Sequence, residues 1–110
     1  VVTAAAVTFD GATIVVVEFY APAITTGATA NDQVLVALFQ DGVSLGVIAQ
    51  ALAGSSFIAP VRIARRLTPA SGSRTYSVRA YRSGTGNGVV QAGVGGPAAY
   101  MPAFIRITKV

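Results

Sequence analysis

The chain contains no cysteine, no histidine and no tryptophan, and only 11% of it is charged. Without cysteine there is neither a disulfide nor a thiolate, and the redox compartment leaves no trace. Without histidine the commonest general base and metal ligand is missing, which excludes Ser-His-Asp and Cys-His constellations. A Ser-Lys pair would need Lys109, the only lysine, next to last in the sequence and poorly placed to activate a nucleophile. The acids are Asp10, Glu18, Asp32 and Asp41. Three of them stand beside Gly or Asn, where an Asp side chain stabilises a turn through its own hydrogen bonds. That accounts for them better than a glycosidase carboxylate pair or a calcium loop, whose dense ligand spacing is missing. No catalytic residue, metal or cofactor is therefore expected. No run of about 18 uninterrupted apolar residues occurs, so no membrane-spanning helix is expected. A spanning barrel is rejected because paired aromatic girdles and sustained in-out alternation are absent. Met is not at position 1 and no signal-peptide pattern is present, so the chain reads as a processed product or a piece of a longer protein.

What is present is apolar residue and arginine. The 110 residues make one domain, 1–110, and 53% of them are apolar. Against a usual charged share of about 25%, so little charge leaves apolar surface that favours association. Seven of the eight basic residues are Arg, and all eight lie from Arg62 onward, whereas all four acids precede residue 42. The halves either pair with one another or leave a basic face.

Gly, Pro, Asn and Asp cut the chain at spacings of about 8–12 residues, the signature of an all-β domain. Strands are expected at 2–8, 13–20, 33–40, 43–50, 57–67, 74–82, 89–92 and 103–109. Asp41-Gly42 favours a two-residue type I′ hairpin, because both positions accept positive φ. Pro60 argues for an edge strand or a break. In the strand 74–82, Tyr76, Val78 and Ala80 are expected inward, and Ser77, Arg79 and Tyr81 outward. Helix is not expected: β-branched residues dominate, and Gly or Pro recurs throughout. The expectation is an antiparallel β-sandwich, a jelly roll of about eight short strands.

Two strands are apolar on both faces. Val34, Val36 and Leu38 oppose Leu35, Ala37 and Phe39, and Ile14, Val16 and Tyr20 oppose Val15, Val17 and Phe19. A two-layer sandwich buries only one face of each sheet, so the second face asks for a sister subunit. Val15, Val17, Phe19, Leu35, Phe39 and Phe104 are the candidate interface. Glu18 interrupts an apolar strand and needs a cationic partner or a solvated edge, with Arg79 and Arg106 as candidates. The glycines at 84–88 and 93–96 precede no helix and lack Gly-Lys-Ser/Thr, so they read as turn glycines rather than a phosphate cradle. Arg62, Arg66, Arg79, Tyr81 and Arg82, on strands expected to be neighbours, form a candidate site for an acidic glycan or another anion. Nucleic acid is disfavoured because stacked aromatic recognition motifs are absent.

Several segments resemble a C-terminal domain of bacteriophage tail and fibre proteins. They are Thr8-Phe-Asp-Gly11, Glu18-Phe-Tyr-Ala-Pro22, Leu38-Phe-Gln-Asp-Gly42 with Leu45-Gly46, Arg66-Leu-Thr-Pro-Ala-Ser-Gly72, Thr75-Tyr-Ser-Val78 and Tyr100-Met-Pro-Ala-Phe-Ile-Arg-Ile107. Their order, over nearly the whole chain, is similar to the jelly-roll group of tumour necrosis factor and the complement globular heads. The resemblance implies a homotrimer on a virion surface, extracellular, contacting other virion proteins and used for attachment to host cell-surface glycan. Two other readings stand beside it: a domain that cements capsid or tail by binding virion proteins only, and a carbohydrate-binding module. The loops 25–32 and 84–88 are the candidate display loops.

Overall fold

Short β-branched runs punctuated by turn residues give an all-β antiparallel sandwich, seen here in a computed structural model that describes residues 1–26, 32–53, 58–84 and 88–110. The strands are β1 (Val2–Thr3), β2 (Val7–Phe9), β3 (Val15–Thr25), β4 (Asp32–Gln40), β5 (Val43–Ala53), β6 (Ile58–Leu67), β7 (Gly72–Arg74), β8 (Tyr76–Ser83), β9 (Val89–Gln91) and β10 (Phe104–Lys109). One sheet has the order β1-β8-β4-β5. The facing sheet has the order β10-β3-β6, with β9 pairing the far end of β3, and β2-β7 is a small separate ribbon. Among the described residues there is no helix.

The expected first strand, 2–8, is split across the Ala4-Ala5-Ala6 segment. Its first part pairs β8 and its second pairs β7. The expected second strand does not stop at Pro22. It runs on to Thr25, and the register shifts between Ala21 and Ile24. Pro22 and Pro60 both fall in that irregularity, where a residue without an N–H costs no ladder bond. Pro60 also lies on β6, an edge strand, as its presence required. At the β4–β5 connection Asp41 and Gly42 have φ of 51° and 82°, the positive pair of a type I′ turn. Gly93 is required for a different reason: a Cβ there would stand 2.3 Å from the Tyr100 carbonyl oxygen, so the 93–101 loop closes only on glycine.

One core fills the space between the sheets. β3 contributes Val15, Val17, Phe19, Ala21 and Ile24; β4 contributes Val34, Val36 and Leu38; β5 contributes Ala51; and β8 contributes Tyr76 and Val78. Tyr76 and Val78 point inward as expected, but Ser77, expected outward, is buried where β1 pairs beside it, and Ala80 is exposed, because the sandwich opens towards that end of β8. The Tyr76 hydroxyl donates to Gln40 Oε1 at 2.7 Å, and its ring meets Phe9 edge-on at 6.1 Å. This contact seals the end of the core with the small ribbon. Burial raises the Tyr76 hydroxyl's pKa, so the donor keeps its proton through neutral pH. At the long edges Arg65, on the inward side of β6, donates to the Leu45 carbonyl of β5 at 2.6 Å and ties the two sheets together.

Phe19→Ala leaves a cavity at a wholly enclosed site and is expected to cost about 3–5 kcal/mol in urea unfolding. Tyr76→Phe removes one hydrogen bond and is expected to cost about 1 kcal/mol. Gly42→Ala meets no steric obstacle but forces an L residue to positive φ, at about 1–2 kcal/mol.

Candidate functional site

A strand alternates its side chains, so once Val15, Val17 and Phe19 are inside, Val16, Glu18 and Tyr20 must be outside. The antiparallel register then lays three rungs across the outer face of β10-β3-β6. Phe104, Tyr20 and Arg62 make the first, Arg106, Glu18 and Ala64 the second, and Thr108, Val16 and Arg66 the third. Three guanidiniums and one carboxylate leave a charge of +2 on this face, half of the chain's +4.

Glu18 is the hub. Arg106 Nη2 donates to Oε2 at 2.8 Å, and Arg62 Nε lies 2.7 Å from Oε1. The Arg62 contact is a close ion pair without hydrogen-bond alignment, so Oε1 has no donor of its own among the described residues. The Glu18 side chain is 13% exposed, whereas those of Arg62 and Arg106 are 66% and 54% exposed. One sunken carboxylate therefore holds two guanidiniums at the surface. The Arg106 hydrogen bond and the charges of both arginines hold the Glu18 carboxyl below its ordinary range, against an opposing push from burial. Beside them Tyr20 and Phe104 stack at 5.3 Å, and the Arg106 guanidinium lies 5.9 Å from the Phe104 ring centre. Arg66 has no ion pair among the described residues.

The opposite outer face, on β1-β8-β4-β5, carries the apolar row Leu35, Ala37 and Phe39 of β4, flanked by Gln33, Gln50, Ser44 and Arg79. Tyr81, Leu35 and Gln50 form one rung, and Arg79, Ala37 and Val47 the next. Phe39 follows on β4, with the Arg79 guanidinium 4.4 Å above its ring. Leu35 and Phe39 are half-buried, while Val47 and Tyr81 are about half exposed at 49% and 50%.

These placements correct two expectations. Val15, Val17 and Phe19 cannot form a subunit interface, because they are 1–3% exposed in the core of a single chain. Leu35 and Phe39 do face outward, but Phe104 faces outward on the other sheet. The arginine patch is not assembled either. β6 pairs β3 while β8 pairs β4, so Arg62 and Arg66 lie on one outer face, and Arg79 and Tyr81 on the other. Arg82 shares the inward side of β8 and donates to the Gly84 carbonyl. Arg106 is a Glu18 partner as expected, and Arg79 is not; Arg62 takes its place. The missed signal was Glu18 itself: a carboxylate shares its face with Val16 and Tyr20, so that face was the outward one. Residues 27–31 and 85–87 of the display loops lie outside the described residues.

Of the three acids expected to stabilise their own turns, only Asp10 does so: Asp32 opens β4 and is buried at 3% exposure, and Asp41 reaches across to the β7–β8 connection. Asp10 accepts hydrogen bonds from Ala12 N at 2.8 Å, Thr13 N at 2.7 Å and Thr13 Oγ1 at 2.6 Å. The Thr13 hydroxyl and these N–H groups bring its pKa down to about 2. Asp41 accepts from Thr75 N at 2.9 Å and Arg74 Nη1 at 3.2 Å, which docks the hairpin turn on the start of β8 and lowers its pKa. A cavity of about 320 Å³ lies against Asp10, lined also by Phe9, Val15, Ile107 and Lys109, but both Asp10 oxygens are already engaged within its own turn. Among the described residues no group of three or more potential metal ligands occurs.

Asp10, Glu18 and Asp41 all have folded pKa values below their unfolded ones. Each stabilises the fold above its unfolded value, near 3.8 for Asp and 4.5 for Glu, and loses that contribution as pH falls through its folded value. The urea midpoint is expected to hold from neutrality to roughly pH 5 and to fall between about pH 4.5 and 2. Asp10→Asn is expected to flatten the lowest part of that fall. No protein-family model matches this chain, and no curated protein or solved structure is significantly similar to it.

Proposed function

We propose that the chain is a non-enzymatic assembly and attachment module of a virion, a homotrimer built through the outer face of β1-β8-β4-β5. The observation that carries the assembly part is the contrast between the two outer faces. Burying the β10-β3-β6 face would desolvate Arg62, Arg66 and Arg106 around a single carboxylate, at a cost of several kcal/mol per unpaired charge. The other face presents Leu35, Phe39, Val47 and Tyr81 with one guanidinium already seated on an aromatic ring. It is the cheaper face to dry. A second copy of the chain is the occupant that the low charge content favours, and the threefold arrangement and virion setting follow the resemblance to phage tail and fibre domains. With that face occupied, the arginine-bearing face stays outward for the host surface.

Sedimentation equilibrium at micromolar concentration is expected to give a trimer, and a monomer would overturn the reading. Val47→Glu and Tyr81→Glu, at exposed positions that folding does not need, are each expected to weaken association roughly 30-fold or more. The trimer is expected to bind target cells or purified envelope glycan. Tight binding to a capsid or tail protein without glycan binding would assign a cementing role instead.

A further inference from the structure

We propose that the outer face of β10-β3-β6 is a binding site for an acidic polysaccharide, with Arg62 and Arg106 gripping one sulfate or carboxylate group and Arg66 a second. The inference names the ligand for the attachment reading, yet it rests on residues of one subunit and does not need the trimer.

The site is built by its own carboxylate. Arginine side chains on a sheet surface ordinarily sample many rotamers, and ordering them opposes binding. Here Glu18 holds Arg62 through Nε and Arg106 through Nη2, on opposite oxygens of one carboxylate. Each guanidinium has five N–H donors in a planar fork, so most of the donors on both remain available above Glu18. Two preset forks side by side match the paired oxygens of a sulfate or carboxylate. Ala64 stands beside Glu18 on the same rung, where a methyl group is too short to cover the guanidiniums. Arg66 is four residues from Arg62 along β6, about 13 Å at strand spacing. A single small anion cannot bridge that distance, but a chain bearing repeated anionic groups can.

The aromatic pair decides between polymer classes. Single-stranded nucleic acid is held largely by bases stacking on free aromatic faces. Tyr20 and Phe104 stack on one another, and Arg106 lies 5.9 Å from the Phe104 ring centre, so each ring has one face already engaged. Phe104 braces the Arg106 guanidinium. The site reads charge, and a polyanionic glycan supplies charge without needing a base-stacking surface.

The test is titration of the whole protein at low salt with a sulfated oligosaccharide from heparin, an oligogalacturonate, and a single-stranded oligonucleotide of similar charge. Saturable binding of the first or second is expected, weakening steeply as salt rises. Arg62→Gln and Arg66→Gln are each expected to weaken it about tenfold. Arg66 is exposed and has no ion pair among the described residues, so Arg66→Gln should melt as the parent does, whereas Arg62→Gln removes a partner of Glu18 and is compared at a temperature where it stays folded. Arg79→Gln, on the opposite face, is expected to leave binding unchanged. Tyr81→Glu is expected to bind as a monomer, which separates this site from trimerisation. No glycan binding at low salt, an equal loss in Arg79→Gln, or tighter binding of the oligonucleotide than of either glycan would overturn the proposal.

Discussion

A carboxylate cannot enter the dry interior of a small sandwich without a partner, and Glu18 sits in the middle of the strand on which one sheet is built. β3 is flanked by β10 along its first half, by β9 at its far end and by β6 along its length. A slip of one residue in its register would exchange its faces. Val15, Val17 and Phe19 would leave the core, and Glu18 would enter it. Because both faces of β3 are otherwise apolar, hydrophobicity alone discriminates weakly between the two registers. Glu18 supplies the discrimination, and the two arginines that neutralise it come from the strands on either side, so the pairing of three strands is written into one ion cluster.

From that choice the two outer faces acquire different characters. The face carrying Glu18 collects the arginines of β6 and β10 and becomes the wet, cationic side. The face of the other sheet keeps the second apolar row of β4 and becomes the side that is cheapest to dry. The edges are handled separately. β5 and β6 are tied by Arg65 to the Leu45 carbonyl, and the core's end is closed by Tyr76, Gln40 and Phe9. Each of these contacts joins segments far apart in sequence, so the cationic face exists only in the folded chain.

Local chemistry was legible where a residue's own backbone demanded it. Asp41-Gly42 announced its turn because positive φ at both positions admits few residue types. Pro60 announced an edge because it has no N–H to give. Asp10 announced an Asx turn, and Tyr76 and Val78 announced their inward face by alternating with Ser77 and Arg79. The arginine site was misread for a physical reason. Arg62 and Arg79 sit on strands consecutive in the reading of the sequence but not in the sheet, and nothing local tells a strand which partner it will cross to. The split of the first strand, whose halves join different sheets, was hidden for the same reason.

The sequence by itself determined the all-β class, the hairpin at 41–42, most strand positions, and the absence of thiol and imidazole chemistry. These follow from backbone preference and residue type, which act over a few residues. Tertiary structure alone decided which apolar row of β3 is core, which arginines meet Glu18, and that the cations of β6 and β8 part to opposite sides. Those outcomes depend on strand pairing between residues as far apart as Glu18 and Arg106, where loop closure and burial of the whole core, not local preference, select the partner.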